Sequence, residues 1–172
     1  MAGVISTQKT FKERTLALIK KIKAQHVLPD SVKQGEPEAD KQARIQRTRT
    51  DFKFFVEYYF PVYGETDSAP FHVKTANFLK QNANCTIALT WFRGAAKSTH
   101  SNILYPAWLS IQNGFELPYM LLIGQTFYSA KCLLKELKVN LKYNDRLIND
   151  FPDLRINNDT STSSEFHLIN GS

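Results

Sequence analysis

The segment Cys85–Ser110, CTIALTWFRGAAKSTHSNILYPAWLS, constrains the chain most, because its pattern changes twice over a short distance. Thr86-Ile87-Ala88-Leu89-Thr90 has the length and β-branched content of a buried strand. Trp91 to Thr99 then reads WFRGAAKST, a turn of small residues ending in Lys-Ser-Thr. Ile103, Leu104, Ala107, Trp108 and Ile111 follow at helical spacing. Pro106 predicts a kink or break in that helix. Strand, small-residue turn and helix, in this order, is the layout of a phosphate-binding loop.

The chemistry of such a loop depends on that layout. Backbone N–H groups in the turn and at the helix start face anionic oxygens, and the helix dipole adds partial positive charge. Gly94, Ala95 and Ala96 let the backbone approach phosphate closely. Lys97 is placed to reach the β- and γ-phosphates, and the Ser98 hydroxyl to ligate Mg²⁺. Thr99 is placed to cap the helix or touch phosphate, and Arg93 to touch the γ-phosphate or act across a subunit boundary. The standard pattern is Gly, four residues, then Gly-Lys-Ser/Thr. Here Trp91 stands at the first glycine and Ala96 at the second. On these residues alone two readings stay open: a phosphate loop, or a helix start after a Gly turn with Lys97 as a solvated charge.

The 172 residues suffice for one domain with a real core. Their net charge of +6 suits a nucleic-acid or phosphate partner and equally a merely soluble basic protein. Cys85 and Cys132 are too few and too far apart for a disulfide framework. The N-terminus lacks an apolar signal region, and no run approaches a membrane span. His26, His72, His100 and His167 show no metal-ligand spacing, and no Gly-x-Ser-x-Gly elbow is present.

Thr7 to Gln25 reads as a basic amphipathic helix with Phe11, Leu16, Leu18, Ile19 and Ile22 as its stripe. It suits either a DNA, membrane or protein partner, or packing on the body. Residues 27–40 read as a linker, and Asp40 to Tyr59 as a second helix with Ala43, Phe52, Phe55, Val56 and Tyr59 inward. Arg44, Arg47 and Arg49 form a basic cluster suited to DNA contact or a solvated face. Phe71 to Gln81 reads as a short helix, in which Phe71 and His72 are positioned to contact adenine or simply to pack. Asn113-Gly114 reads as a helix C-cap, Pro118 to Gly124 as a second strand covered on both faces, and Gln125-Thr126 as its ligand-facing end or a plain turn. Tyr128 to Tyr143 is a helix with Ala130, Leu133, Leu134, Leu137 and Leu141 inward. Asn144 to Phe151 is a short helix or turn, Glu165 to Ile169 a third strand, and Asn170-Gly171 a hairpin signal.

Arg93-Gly94-Ala95-Ala96-Lys97-Ser98-Thr99 resembles the deviant Walker A of phage large terminase subunits, the ATPases that pump DNA into capsids. The likeness runs from about residue 50 to 172. It takes in Phe52 to Pro61, Ala69-Pro70-Phe71-His72, Leu104 to Trp108, Leu121 to Thr126 with Ser129-Ala130, Asn144 to Phe151, and Phe166 to Gly171. The resemblance implies an α/β fold: part of a P-loop NTPase three-layer sandwich with a mostly parallel sheet, preceded by N-terminal helices. It divides the chain into a helical region, 1–60, and the first part of an ATPase domain, 61–172. It implies ATP and Mg²⁺ as cofactors. Double-stranded DNA, the portal protein and the small terminase subunit are the implied partners, with a ring formed by the full-length protein. The implied location is the host cytoplasm, transiently at the procapsid portal. Hydrolysis needs an acid at the end of another apolar strand, and Asp145, Asp150, Asp153, Asp159 and Glu165 all sit in polar surroundings. The family's C-terminal nuclease domain is also lacking. The expectation is therefore a fragment or truncated product that is inactive alone. Two alternatives are another translocase or helicase-like P-loop ATPase, and a non-catalytic fragment binding DNA or partners through its basic helices.

Overall fold

A computed structural model describes residues 2–82, 84–112, 119–159, 162 and 164–168, with side chains described from residue 13 onward except at 31 and 33. Helix α1 spans Ala2–Gln25, the one-turn α2 Asp30–Lys33, α3 Glu38–Thr50, α4 Phe52–Tyr59 and α5 Pro70–Gln81. Lys97–Thr99 (α6), a π-helical turn His100–Leu104 and Tyr105–Leu109 (α7) then follow without a gap. Next come α8, Phe127–Lys142, α9, Asp145–Asp150, and a 3₁₀ turn, Pro152–Leu154. Among the described residues no helix is long and apolar enough to cross a membrane.

Local chemistry explains several boundaries. The expected single helix from Asp40 to Tyr59 is two helices, because Asp51 leaves helical geometry and its carboxylate accepts the Phe54 N–H at 3.0 Å. Thr126 caps α8 in the same way, accepting from Ser129 N–H at 3.1 Å while Ser129 Oγ accepts from the Thr126 N–H at 3.0 Å. Gly124 lies hard against this cap: a Cβ there would sit 2.6 Å from Ser129 Oγ and 2.7 Å from Ala130 N. Pro106 lacks an N–H and crowds the carbonyl one turn back, and instead of breaking the helix the ladder slips, with Tyr105 N–H reaching His100 O.

The core is built on α4. Phe52, Phe55, Val56 and Tyr59 recur at helical spacing and are all buried, as the sequence pattern predicts, whereas Ala43 of the expected inward face is exposed. They pack with Leu104, Trp108, Leu147 and Leu154 in one cluster that extends from Ile45 to Leu168. Phe52 meets Trp108 edge-on at 5.3 Å, and the Trp108 indole N–H donates to Thr48 O at 2.9 Å. Helix α1 lies on this body through Ile22, which packs with Val62 and Val139. Lys21 pairs with Glu65 at 2.7 Å and Lys23 stands over the Tyr143 ring. Leu16 of the expected stripe is exposed, and the Phe11 side chain lies outside the described residues.

Two of the three arginines of α3 turn inward. Arg44 forks onto Asp150, at 2.7 and 2.8 Å, and also holds Glu36. The Tyr59 hydroxyl donates to the same Asp150 carboxylate at 2.7 Å. Burial raises the Asp150 carboxyl, but the Arg44 and Tyr59 hydrogen bonds outweigh it and hold the group below its ordinary value. Arg49 donates to Ile111 O at 2.9 Å. Arg47 remains on the surface, stacked over Phe54 at 4.1 Å. The polar setting of Asp150 in the sequence thus conceals a buried ion pair that ties α3 to α9.

The expected three-layer, mostly parallel P-loop sandwich does not form. Among the described residues the sheet is one antiparallel pair, β1 (Ile156–Asn157) with β2 (His167–Leu168), in the register Ile156 to Leu168. The predicted strand 86–90 carries no ladder and is largely exposed, as is Cys85. Residues 119–124 likewise make no ladder, with Tyr119, Leu121 and Ile123 exposed. A strand's ladder needs a neighbouring strand, and neither run makes a backbone hydrogen bond to another segment among the described residues. Met120 and Leu122 instead border an apolar groove of about 610 Å³ against Ala107, Leu134 and Leu137. The third predicted strand survives only as β2, and the C-cap at 113–114, Pro118 and the hairpin signal at 170–171 lie outside the described residues.

Candidate functional site

The turn from Trp91 to Ala96 leads directly into α6. Gly94 has φ +89° and Ala96 φ +51°, and Ala96 is the one non-glycine with positive φ among the described residues. Nothing lies within 4 Å of where a Gly94 side chain would begin, so glycine is required there for its backbone conformation and not for space. An alanine in the left-handed region costs about 1 kcal/mol or more. Ala96 stands where the standard phosphate loop has its second glycine, and the geometry gives that preference a physical reason.

Two left-handed residues separated by one curve the backbone in the manner of an anion-binding nest. The N–H groups of Ala96, Lys97, Ser98 and Thr99 have no backbone acceptor among the described residues. Ala96 and Ser98 are exposed. Lys97 lies across the turn, its Nζ donating to Trp91 O at 2.9 Å. Arg93 is exposed on the turn, and Thr99 is half-buried behind it. Gly94, Ala95, Ala96, Lys97, Ser98 and Thr99 are therefore brought together as the sequence order requires.

Beneath the turn lies an aromatic layer that no sequence signal announced. His72 is buried and stacks on His100, with ring centroids 3.7 Å apart and planes 20° from parallel. Trp91 meets His72 edge-on at 5.0 Å, and Phe71 meets Trp91 edge-on at the same distance. His72 Nδ1 accepts the Ala69 N–H at 3.1 Å, so Nε2 carries the proton and donates to Ala95 O at 2.9 Å. Both nitrogens of His72 are thus engaged within the fold, which corrects its expected role as an edge for adenine. Phe71 is half-buried among these rings. His100 Nδ1 bonds Ala96 O at 3.1 Å, and burial pushes its pKa down to about 4. The sequence shows His72 and His100 separated by twenty-eight positions, and only the packing of α5 on α7 makes them neighbours.

Mg²⁺ takes oxygen ligands and is commonly held by one or two protein oxygens, waters and substrate phosphates. The exposed Ser98 hydroxyl, one residue beyond Lys97, fits that partial role. Among the described residues no group of three or more His, Cys, Asp or Glu side chains stands ready to hold a metal without a substrate. Beside the turn opens a groove of about 1000 Å³ bordered by Thr99, Arg14, Gln125 and Thr126, large enough for a nucleotide. Gln125 is exposed there, whereas the Thr126 hydroxyl is spent on capping α8.

No family model, curated protein or solved structure matches the chain.

Proposed function

We propose that residues 91–99 bind the phosphates of a Mg²⁺-bound nucleoside triphosphate, and that the chain is the ATP-binding portion of a DNA-packaging motor of the phage large-terminase kind. The observation that carries the phosphate reading is the pair of left-handed residues at 94 and 96 immediately before Lys97 and Ser98 at a helix start. The reading rests on this turn and owes nothing to a parallel sheet. Lys97 neutralises phosphate charge, and the N–H groups of 96–99 donate hydrogen bonds to phosphate oxygens. Ser98 contributes a Mg²⁺ ligand, and Arg93 reaches the γ-phosphate from the exposed side of the turn. When bound, Mg²⁺ supplies charge neutralisation between the phosphates. The packaging assignment rests on the order of the motifs from residue 50 onward, and brings with it double-stranded DNA, a portal, a small subunit and a ring of copies as the proposed partners.

Calorimetric titration of Mg-ATP into the chain and its Lys97→Ala variant tests the phosphate reading. Binding that weakens at least tenfold in the variant supports it. Equal binding by both, or no binding by a folded wild-type chain, sinks it.

A further inference from the structure

We propose that His72, backed by His100, is the positioning residue of the phosphate-binding turn: the two imidazoles grip consecutive carbonyls and thereby aim the opposite N–H groups outward. The inference rests on the phosphate reading above and explains how this chain keeps an alanine-containing turn in shape. In a trans peptide the C=O and N–H point in opposite directions. His72 Nε2–H holds the Ala95 carbonyl toward the buried layer at 2.9 Å, so the Ala96 N–H of the same peptide is directed away from it. The Ala96 carbonyl is held twice by His100, by its backbone N–H at 3.0 Å and by Nδ1 at 3.1 Å, which orients the Lys97 N–H likewise. These are the first two of the four N–H groups that lack a backbone acceptor.

The grip is anchored from behind. His72 is fixed at Nδ1 by the Ala69 N–H at the start of α5. The Tyr105 hydroxyl donates to the His72 carbonyl at 3.0 Å and joins α5 to α7. The ring is sandwiched by His100 at 3.7 Å and bordered by Trp91 and Phe71. The left-handed Ala96 is a conformation that surrounding structure must impose, and hydrogen bonds on the carbonyls at either side of its α-carbon are the means found here.

The test uses the full chain, with calorimetric titration of Mg-ATP and separately of inorganic tripolyphosphate, alongside thermal melts. His72→Phe keeps a ring in the stack and removes both nitrogens. It is expected to weaken both ligands by the same factor, tenfold or more, because the loss falls on phosphate donors and not on a base site. His72→Gln retains an N–H that can reach Ala95 O and is expected to bind within about threefold of wild type. His72→Asn can accept the Ala69 N–H but is too short for Ala95, so it should bind as weakly as His72→Phe. Comparing Gln with Asn decides the matter even where the Phe variant fails to fold. Tyr59→Phe removes a buried hydroxyl that serves Asp150 and takes no part in the turn, and should lower the melting temperature while leaving both affinities unchanged. Wild-type affinity in His72→Asn, or equal weakening by Gln and Asn, overturns the positioning role and leaves the phosphate reading standing. Failure of the wild-type chain to bind either ligand overturns both.

Discussion

Helix α4, FKFFVEYY, and the run YMLLIG at 119–124 are both rich in large apolar residues, yet they meet opposite fates. In α4, Phe55 and Tyr59 are 0% exposed, while Tyr119, Leu121 and Ile123 are 79, 73 and 82% exposed. The difference lies in the backbone. A helix satisfies its own N–H and C=O groups and then needs only a surface to cover its apolar face. A strand depends on neighbours for every hydrogen bond and so cannot form by composition alone. In this chain α4 shares one buried cluster with residues of α3, α5, α7, α8 and α9, whereas residues 119–122 only border an open apolar groove and leave Tyr119 and Leu121 largely in solvent.

The contrast is broken most directly at Trp108, fully buried, hydrogen-bonded to Thr48 O and packed on Phe52. Trp108→Ala is expected to lower stability by about 3–5 kcal/mol, read from urea unfolding monitored by circular dichroism. A loss below about 1 kcal/mol would show that the helical body is not the stable region described here.

Acid sharpens the comparison at the seam between α1 and the body. His26 is fully buried against Phe60, and neither ring nitrogen has a partner among the described residues. Burial, helped by Arg146, lowers its pKa from 6.5 to about 4. The unfolded chain therefore takes up the proton first, so the stability tied to neutral His26 is intact above pH 6.5 and is lost as pH falls toward 4. At pH 5 the loss from this residue is about 2 kcal/mol. His26→Leu should remove that part of the pH dependence and raise the melting temperature at pH 5. Parallel pH profiles in the two proteins would contradict the burial.

The smallest effect belongs to the uncovered run. Ile123→Thr is expected to change stability by no more than about 0.5 kcal/mol, checked by the same urea titration. A loss above 1 kcal/mol would mean that residues 119–124 are packed in solution, and the comparison with α4 would fail.

Much of the helical fold was legible in the residues. Phe52, Phe55, Val56 and Tyr59 carry their own periodicity, and Leu137 and Leu141 of α8 are buried as their spacing predicts. Asp51 went unread as a cap because the apolar pattern runs through it, although its carboxylate one residue before Phe52 was a usable signal. For the candidate site, Gly94, Lys97 and Ser98 were recognisable by spacing. The layer that holds them was not, since His72 and His100 are ordinary histidines until α5 packs beside α7.

What the sequence determined by itself was therefore local: helix positions, caps, and a small-residue turn placed before Lys97. These depend on residues within one or two turns of each other. Tertiary structure alone decided that Arg44 turns inward to Asp150, that His72 grips the Ala95 carbonyl, and that two apolar runs stay without a ladder. Each of those outcomes depends on a partner distant in the chain, and no local pattern specifies where that partner will lie.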